Sequence, residues 1–410
     1  MDDRTDGLWQ GGPWEQPAPP VPGQRAVWVP PGARRPALRV KKRRRRRWPG
    51  FLGLVVLVAA ACMVTIALSG RLPMTPELFS SRGEEESRSR EFSTEPPSIR
   101  PEELSGPVDI PLLPAGEQAL TYTQIYEQNI RSFVSIASRA PDGYGTGSGV
   151  VLTEDGCILT NAHVVAGARE VLVRLHDNRT FAAGLVGFDA REDLAVLKID
   201  AGGLTPARFG DSGALRCGDP VAALGDSLGY QGTFTDGIIS ALDREMDVDG
   251  VNMTLIQTSA AINFGNSGGP LFNQYGQVVG VTTIKVLAED GSAESMGFAI
   301  PSARVKYVAE QLIAGNEVRL GVFGFSVSTI PVEGGGLELL SLEENSDALA
   351  QGMRPGDIIQ AINGQPVNSV QELSRTKQGL GPGDKVTVTF LRDGVSYTLE
   401  VALVDAELGD

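Results

Sequence analysis

The chain of 410 residues is poor in the side chains that carry metal and redox chemistry, with three cysteines and two histidines. No His/Cys cluster has the spacing of a zinc site, and the acids lack the spacing of a calcium loop. No metal and no cofactor are expected. Cys62 lies in an apolar run, which leaves Cys157 and Cys217. An oxidising compartment would let these two pair, but pairing needs Cα atoms within about 7 Å. Two small residues packed separately is the other reading. Long apolar stretches are equally scarce, and the one present is informative.

That stretch follows a basic run. Residues 1–50 carry 12 Lys and Arg against 4 Asp and Glu, so a chain of net charge −14 divides into +8 before residue 51 and −22 after it. The run Lys41–Arg47 abuts an uncharged segment, 48–70. Its apolar part, Phe51 to Ser69, would be about 28 Å long as a helix, close to the thickness of a hydrocarbon core. A secretory signal has a shorter apolar core nearer the N-terminus, so the segment reads as an uncleaved single-pass membrane anchor. Lys and Arg stay on the cytoplasmic side. The N-terminus is expected inside and everything after Arg71 outside, with membrane lipid as a partner. Beside a membrane span the basic run does not argue for nucleic acid. Residues 1–47, rich in Pro and Gly, read as a disordered cytoplasmic tail. Residues 71–118, rich in Pro, Ser and charge, read as a disordered stalk.

The chemistry is concentrated in Gly265-Asn266-Ser267-Gly268-Gly269-Pro270. Flanked in this way, a serine can sit on a tight turn with its hydroxyl exposed. The N–H groups of Gly265 and Ser267 can then converge on a developing oxyanion. A serine nucleophile needs a base, and the base an orienting acid. His163 follows an apolar run, whereas His176 lies in a polar turn. Asp193 begins the apolar strand Leu194 to Ile199, where it can be buried against an imidazole. The order His, Asp, Ser is that of chymotrypsin-type enzymes and not of subtilisins or α/β-hydrolases. Two similar turns, Gly210-Asp211-Ser212-Gly213 and Gly225-Asp226-Ser227, lack the Gly-Pro and apolar strand that follow Ser267, and read as strand-end turns.

Over roughly residues 120–405 the chain resembles the HtrA/Deg family of serine proteases. The likeness is carried by Gly145 to Val151, Thr160 to Val165, Asp193 to Ile199, Gly232 to Ala241, Ile256 to Leu271, Met296 to Pro301 and Gly352 to Gly364. It implies a mainly β fold: a trypsin-like double β-barrel (119–316) with the triad at its seam, followed by a PDZ domain (317–405). It also implies that Leu320, Gly321 and Val322 receive the C-termini of peptides, that unfolded polypeptides are the substrates, and that trimers form. Two positions depart from the family pattern, Ser259 where Asp is usual and Phe264 where Pro is usual. Phe264 borders the expected substrate pocket. Ala261 stands six residues before the nucleophile, where enzymes preferring Lys or Arg carry a carboxylate, so a small or aliphatic residue is expected before the scissile bond. Asn266 cannot form the ion pair by which many zymogens capture a new α-amino group, so activation by a single N-terminal cut is not expected.

Residue patterns agree with this layout. Short apolar runs such as Ser148–Leu152, Val171–Leu175, Val221–Leu224 and Val278–Ile284 are separated by Gly, Asp and Asn turns. Ser302 to Gly315 has the periodicity of an amphipathic helix. Lys385–Leu391 and Val395–Leu403 form a hairpin around Arg392-Asp393-Gly394. Two other functions fit parts of the sequence, an idle chaperone-like scaffold and a hydrolase of non-peptide esters. The complete triad disfavours the first and the PDZ-like region the second.

Overall fold

A computed structural model of the protein describes residues 94–104, 106–141, 143–227, 230–248, 251–283 and 296–406. The expected tail and anchor (1–47 and 48–70) lie outside them. Among the described residues no helix is long and apolar enough to cross a membrane.

The described chain opens with a two-residue strand, β1 (Leu112–Leu113), and a helix, α1 (Tyr122–Asn129). A capping box starts α1: Thr121 and Gln124 each accept the other's backbone N–H through their side chains. Six strands follow: β2 (Phe133–Ala140), β3 (Gly143–Val151), β4 (Cys157–Thr160), β5 (Glu170–Leu175), β6 (Thr180–Asp189) and β7 (Leu194–Ile199). They close a barrel in the order β2-β3-β4-β7-β6-β5. A one-turn helix, α2 (Ala162–Val165), separates β4 from β5. After β8 (Phe209–Gly210) come β9 (Pro220–Ser227), β10 (Tyr230–Val248), β11 (Val251–Thr258), β12 (Pro270–Asn273), β13 (Val278–Thr283) and β14 (Gly297–Pro301). These run β13-β12-β9-β10-β11-β14, and a β13–β14 pairing closes the second ring.

The period of two along the first-barrel strands explains why the barrels join. On β2, Val134 and Ile136 point into the barrel, and so do Ala195, Leu197 and Ile199 on β7. The intervening Phe133, Leu194 and Val196 point outward and pack with Leu224, Leu255 and Phe272 of the second barrel. Both faces of these strands are therefore buried, and the seam between the barrels is a second core.

Helix α3 (Ser302–Ile313) seals that seam, with Val305, Val308, Ala309 and Leu312 buried against it at three- and four-residue spacing. The C-terminal domain contains β15 (Gly321–Val322), β16 (Phe325–Val327), β17 (Leu337–Leu342), α4 (Asp347–Ala350), β18 (Ile358–Ile362), β19 (Gln365–Pro366), α5 (Val370–Arg375), β20 (Lys385–Arg392), β21 (Val395–Ala402) and β22 (Val404–Asp405). Its main sheet runs β16-β17-β18-β20-β21, and β15 pairs with β22. The β20–β21 hairpin turns at Asp393 and Gly394, both with positive φ. The domain meets the second barrel through α5. The Arg375 guanidinium clasps the buried Asp243 of β10, and Gln378 donates to the same carboxylate at 3.1 Å.

Residues 94–118 correct the expectation of a disordered stalk over that stretch. Ser98 donates its N–H to the Ala168 carbonyl at 2.7 Å, and Gly167 donates to Glu95 at 2.8 Å. Leu185 of β6 exchanges backbone bonds with Arg100 and Glu102. Ile110 is buried in the seam core and β1 pairs with β8. Proline-rich composition removes periodicity, but it does not prevent a strap from satisfying its backbone on the edges of an already folded domain.

Candidate active site

His163 lies on α2, directly after β4, and Asp193 stands at the head of β7, which pairs with β4. Asp193 has a left-handed backbone (φ 52°) and is 1% exposed. Its C=O accepts the Asn161 side-chain N–H at 2.9 Å, which fastens the Asp193 backbone to the segment leading into α2. The carboxylate lies 2.9 and 3.0 Å from His163 Nδ1 and accepts the His163 backbone N–H at 3.1 Å. A carboxylate accepts only, so Nδ1 carries the proton and Nε2 is the basic nitrogen. Thr283 of β13 donates its hydroxyl to the same carboxylate at 2.9 Å. The second barrel thus reaches across the seam to hold the acid of the first.

The Ser267 turn is held just as closely by backbone bonds. Ser148 of β3 donates its N–H to the Ser267 carbonyl at 2.8 Å, and Gly268 donates to Thr282 at 2.9 Å. The Thr282 hydroxyl donates to the Asn266 carbonyl at 2.6 Å. Gly268 has φ +83°, and a Cβ there would fall 2.2 Å from the Ser148 carbonyl and 2.4 Å from Thr160 Oγ1. Only glycine lets the turn lie this close to β3 and to the residues just before His163. Ser267 is 2% exposed, yet its hydroxyl makes no hydrogen bond among the described residues. It is therefore not bonded to the imidazole, as is common in serine hydrolases without substrate. The backbone N–H groups of Gly265 and Ser267 are also buried and donate to nothing among the described residues. Buried polar groups are normally paired. Three unpaired ones around a single serine make a site that can receive a charged ligand atom.

Asn266 is 1% exposed and donates its side-chain N–H to the Ala261 carbonyl at 3.3 Å. Ala261 is exposed and Phe264 half-buried on the approach to the turn. Ser259 bonds the neighbouring strand β10 by accepting the Ile238 N–H at 3.0 Å. The two serine turns set aside above have structural partners: Ser212 bonds the start of α3, and Asp226 pairs with Arg174 at 3.2 Å. Burial pushes the Asp226 carboxyl above the usual range against the pull of Arg174. Cys157 and Cys217 are both free. Cys157 is sealed in the core, where burial pushes its thiol up to about 12. Among the described residues, no three His, Cys, Asp or Glu side chains are grouped as metal ligands.

Sequence reading missed Thr283, Asn161 and Ser148. Each is a small polar residue beside an apolar strand, and nothing in its spacing marks it; only the register of the strands brings it to the site.

In the C-terminal domain, Leu320 is exposed, Gly321 buried and Val322 half-buried. Leu320 and Gly321 line a cleft together with Ser374 of α5, Lys377 just after it, and Met253 and Arg304 of the protease region. Arg304 is bound bidentately to Glu192 at 2.7 and 2.6 Å. The Lys377 side-chain ammonium makes no hydrogen bond or ion pair among the described residues, and burial pushes it below the ordinary lysine range.

Comparisons with known proteins agree with this architecture. A family profile described as "Trypsin-like peptidase domain" matches residues 147–281, and one described as "PDZ domain" matches 321–403. A "Probable periplasmic serine endoprotease DegP-like" of Halomonas elongata is 39% identical over 268 residues, covering 63% of this chain and 56% of that protein. "Serine protease Do-like HtrB" of Bacillus subtilis is 41% identical over 283 residues, covering 62% of this chain and 61% of that protein. The chain thus spans less than two thirds of the length of these curated relatives. The solved structure "HtrA-type protease AlgW with tripeptide" superposes with a TM-score of 0.54 at 31% identity, covering 71% of this chain and 99% of that one.

Proposed function

Because the chain belongs to the HtrA/DegP family of trypsin-like, PDZ-containing serine proteases, we propose that it is an active serine endopeptidase acting on unfolded or damaged proteins outside the cytoplasm. The observations that carry this reading are a buried carboxylate bonded to His163 through both ring and backbone, and a buried serine hydroxyl that makes no hydrogen bond among the described residues.

In this mechanism Ser267 Oγ attacks the scissile carbonyl carbon while its proton passes to His163 Nε2. Asp193 stabilises the imidazolium that results. The carbonyl π electrons move onto oxygen, where the N–H groups of Gly265 and Ser267 receive the negative charge. The C–N bond then breaks as His163 returns the proton to the leaving amine, which gives an acyl-enzyme. Water, deprotonated by the same imidazole, attacks the ester and releases the new carboxylate and Ser267. Ala261 and Phe264 border the pocket for the residue before the scissile bond, which is proposed to be small or aliphatic.

The finer reading keeps the membrane anchor at 48–70, lipid contact beside the basic run, and catalytic and PDZ domains on the outer side. It also includes assembly as trimers. The PDZ domain is proposed to bind peptide C-termini at Leu320, Gly321 and Val322, a reading supported by the Lys377 ammonium in the same cleft.

A fluorophosphonate probe tests the central claim. Wild-type protein should be labelled and should cleave an unfolded substrate, and Ser267→Ala should do neither. An unlabelled wild type, with unfolded substrate present, would leave a peptide-binding scaffold instead.

A further inference from the structure

We propose that Ser148 is a positioning residue of the oxyanion hole, an inference that rests on the serine-protease reading. Ser148 lies within Gly147-Ser148-Gly149 of β3 and is 0% exposed. Its hydroxyl stands 2.9 Å from the Asp226 N–H and 2.6 Å from the Gly265 carbonyl. A hydroxyl has one proton. The Asp226 N–H can only donate, so the Ser148 proton is directed at the Gly265 carbonyl and the hydrogen-bond directions are fixed.

Its main chain completes the arrangement. The Ser148 N–H donates to the Ser267 carbonyl at 2.8 Å, and the Ser148 carbonyl accepts the Thr160 hydroxyl at 2.7 Å. One residue therefore holds the carbonyls of both Gly265 and Ser267, which fixes the peptide units that follow the two residues of the hole; each N–H lies in the preceding unit and is joined to the held one through the same Cα. Gly265, at φ +96° with no Cβ, has little intrinsic preference for where its peptide planes lie. Phe264, where the family pattern has proline, adds no ring constraint on the chain entering it. The orientation must be imposed from outside, and the Ser148 hydroxyl is the side chain that bonds the Gly265 carbonyl. The hydroxyl is itself anchored through Asp226, whose carboxylate is paired across the seam with Arg174 of β5. The two barrels are thus linked to the geometry of the hole through a single hydroxyl.

Donors of this kind bond the oxyanion more strongly than the ground-state carbonyl, so misaiming them lowers kcat and leaves KM nearly unchanged. Deleting one donor outright costs about 10²–10³ in rate. Loosening its support should cost less. The test uses the full chain as Ser148→Ala and as Ser148→Cys, which is near in size but a weaker donor. Three readouts are compared: turnover of an unfolded substrate, affinity for a peptide boronic acid whose tetrahedral adduct fills the hole, and affinity for the same peptide as a non-covalent ligand. Ser148→Ala is expected to lose about 10- to 100-fold in kcat, with KM within about threefold. Boronate affinity should fall in parallel and the non-covalent peptide should bind as before. Ser148→Cys should lie between.

A Ser148→Ala protein that matches wild type, or that loses both kinds of ligand equally, overturns the proposal. If Ser148→Ala does not fold, Ser148→Cys decides: the boronate-to-peptide affinity ratio must drop for the proposal to stand. The underlying reading fails separately, if wild type itself neither labels with fluorophosphonate nor turns over, and then the inference about Ser148 falls with it.

Discussion

The two halves of the cleft are built to opposite rules. On the first-barrel side, Asp193 is enclosed by donors: the His163 ring, the His163 N–H and Thr283. On the second-barrel side, the Ser267 hydroxyl and the N–H groups of Gly265 and Ser267 are buried with nothing to bond among the described residues. An unpaired buried polar group costs about 1–3 kcal/mol, so the serine turn is held in place at a loss. The acid–base pair is assembled before substrate arrives. In the proposed mechanism the charge-stabilising half stays open for an atom that exists only at the transition state.

Breaking each half should therefore have a different size and character. Ser267→Ala removes the nucleophile and should cost on the order of 10⁴–10⁶ in kcat, measured on an unfolded substrate, with the fold intact. Next comes Asp193→Asn. An amide offers one acceptor oxygen and an NH₂ donor to a pocket lined with donors. The His163 ring would turn its proton to Nε2 and lose its basic nitrogen. A drop of about 10⁴ in kcat is expected. A loss of less than tenfold would mean that the carboxylate does not set the tautomer.

A finer test uses two adjacent residues of β13. Thr283 bonds the acid of the first half, whereas Thr282 bonds the Asn266 and Gly269 carbonyls of the second. Valine keeps the shape of either and removes the hydroxyl. Thr283→Val should lower kcat by about tenfold, equivalent to about 1.4 kcal/mol of transition-state stabilisation. Thr282→Val takes a hydroxyl donor from the Asn266 carbonyl, which keeps only the Gly269 N–H. It should lower thermal stability, slow fluorophosphonate labelling and weaken a peptide boronic acid, whose adduct fills the oxyanion hole, more than Thr283→Val does. Equal boronate affinities in the two variants would dissolve the distinction between the halves.

The contrast also accounts for what could be read in the sequence. The triad is legible because its neighbours are chemically unusual. A serine among three glycines, an asparagine and a proline serves few other purposes, and the second histidine is plainly in a polar turn. The barrel strands are legible from their short apolar runs and turn residues. The contacts that aim the triad are not. Thr283, Ser148 and Asn161 are ordinary residues whose roles appear only when β13, β3 and β4 come together at the seam, with 90 residues separating Thr283 from Asp193 and 117 separating Ser148 from Gly265. The strap from residue 94 was illegible for another reason. Its bonds go to the edges of other elements, so it carries no periodicity of its own, and Ile110 alone is its deep anchor in the seam core.

The smallest expected effect lies farthest from the chemistry, at Lys377. Burial, with Arg304 nearby, pushes this ammonium below the ordinary lysine range, and Glu245 opposes them only in part. A lysine whose folded pKa is depressed binds fewer protons folded than unfolded. The charged form therefore weighs against folding at neutral pH, and that penalty fades as pH rises from the folded pKa toward the unfolded one. Retaining such a charge makes sense if a peptide carboxylate is its intended partner. Lys377→Met should then raise Tm slightly, on the order of 1–3 °C, while weakening binding of a peptide with a free C-terminus by about tenfold. In wild type the affinity should fall with rising pH before ordinary surface lysines titrate. In Lys377→Met that alkaline fall should vanish, and amidating the peptide C-terminus should cost the variant little further affinity. Equal affinity and the same pH profile in both proteins would assign the lysine to packing alone. The PDZ cleft would then follow the same closed rule as the Asp193–His163 side.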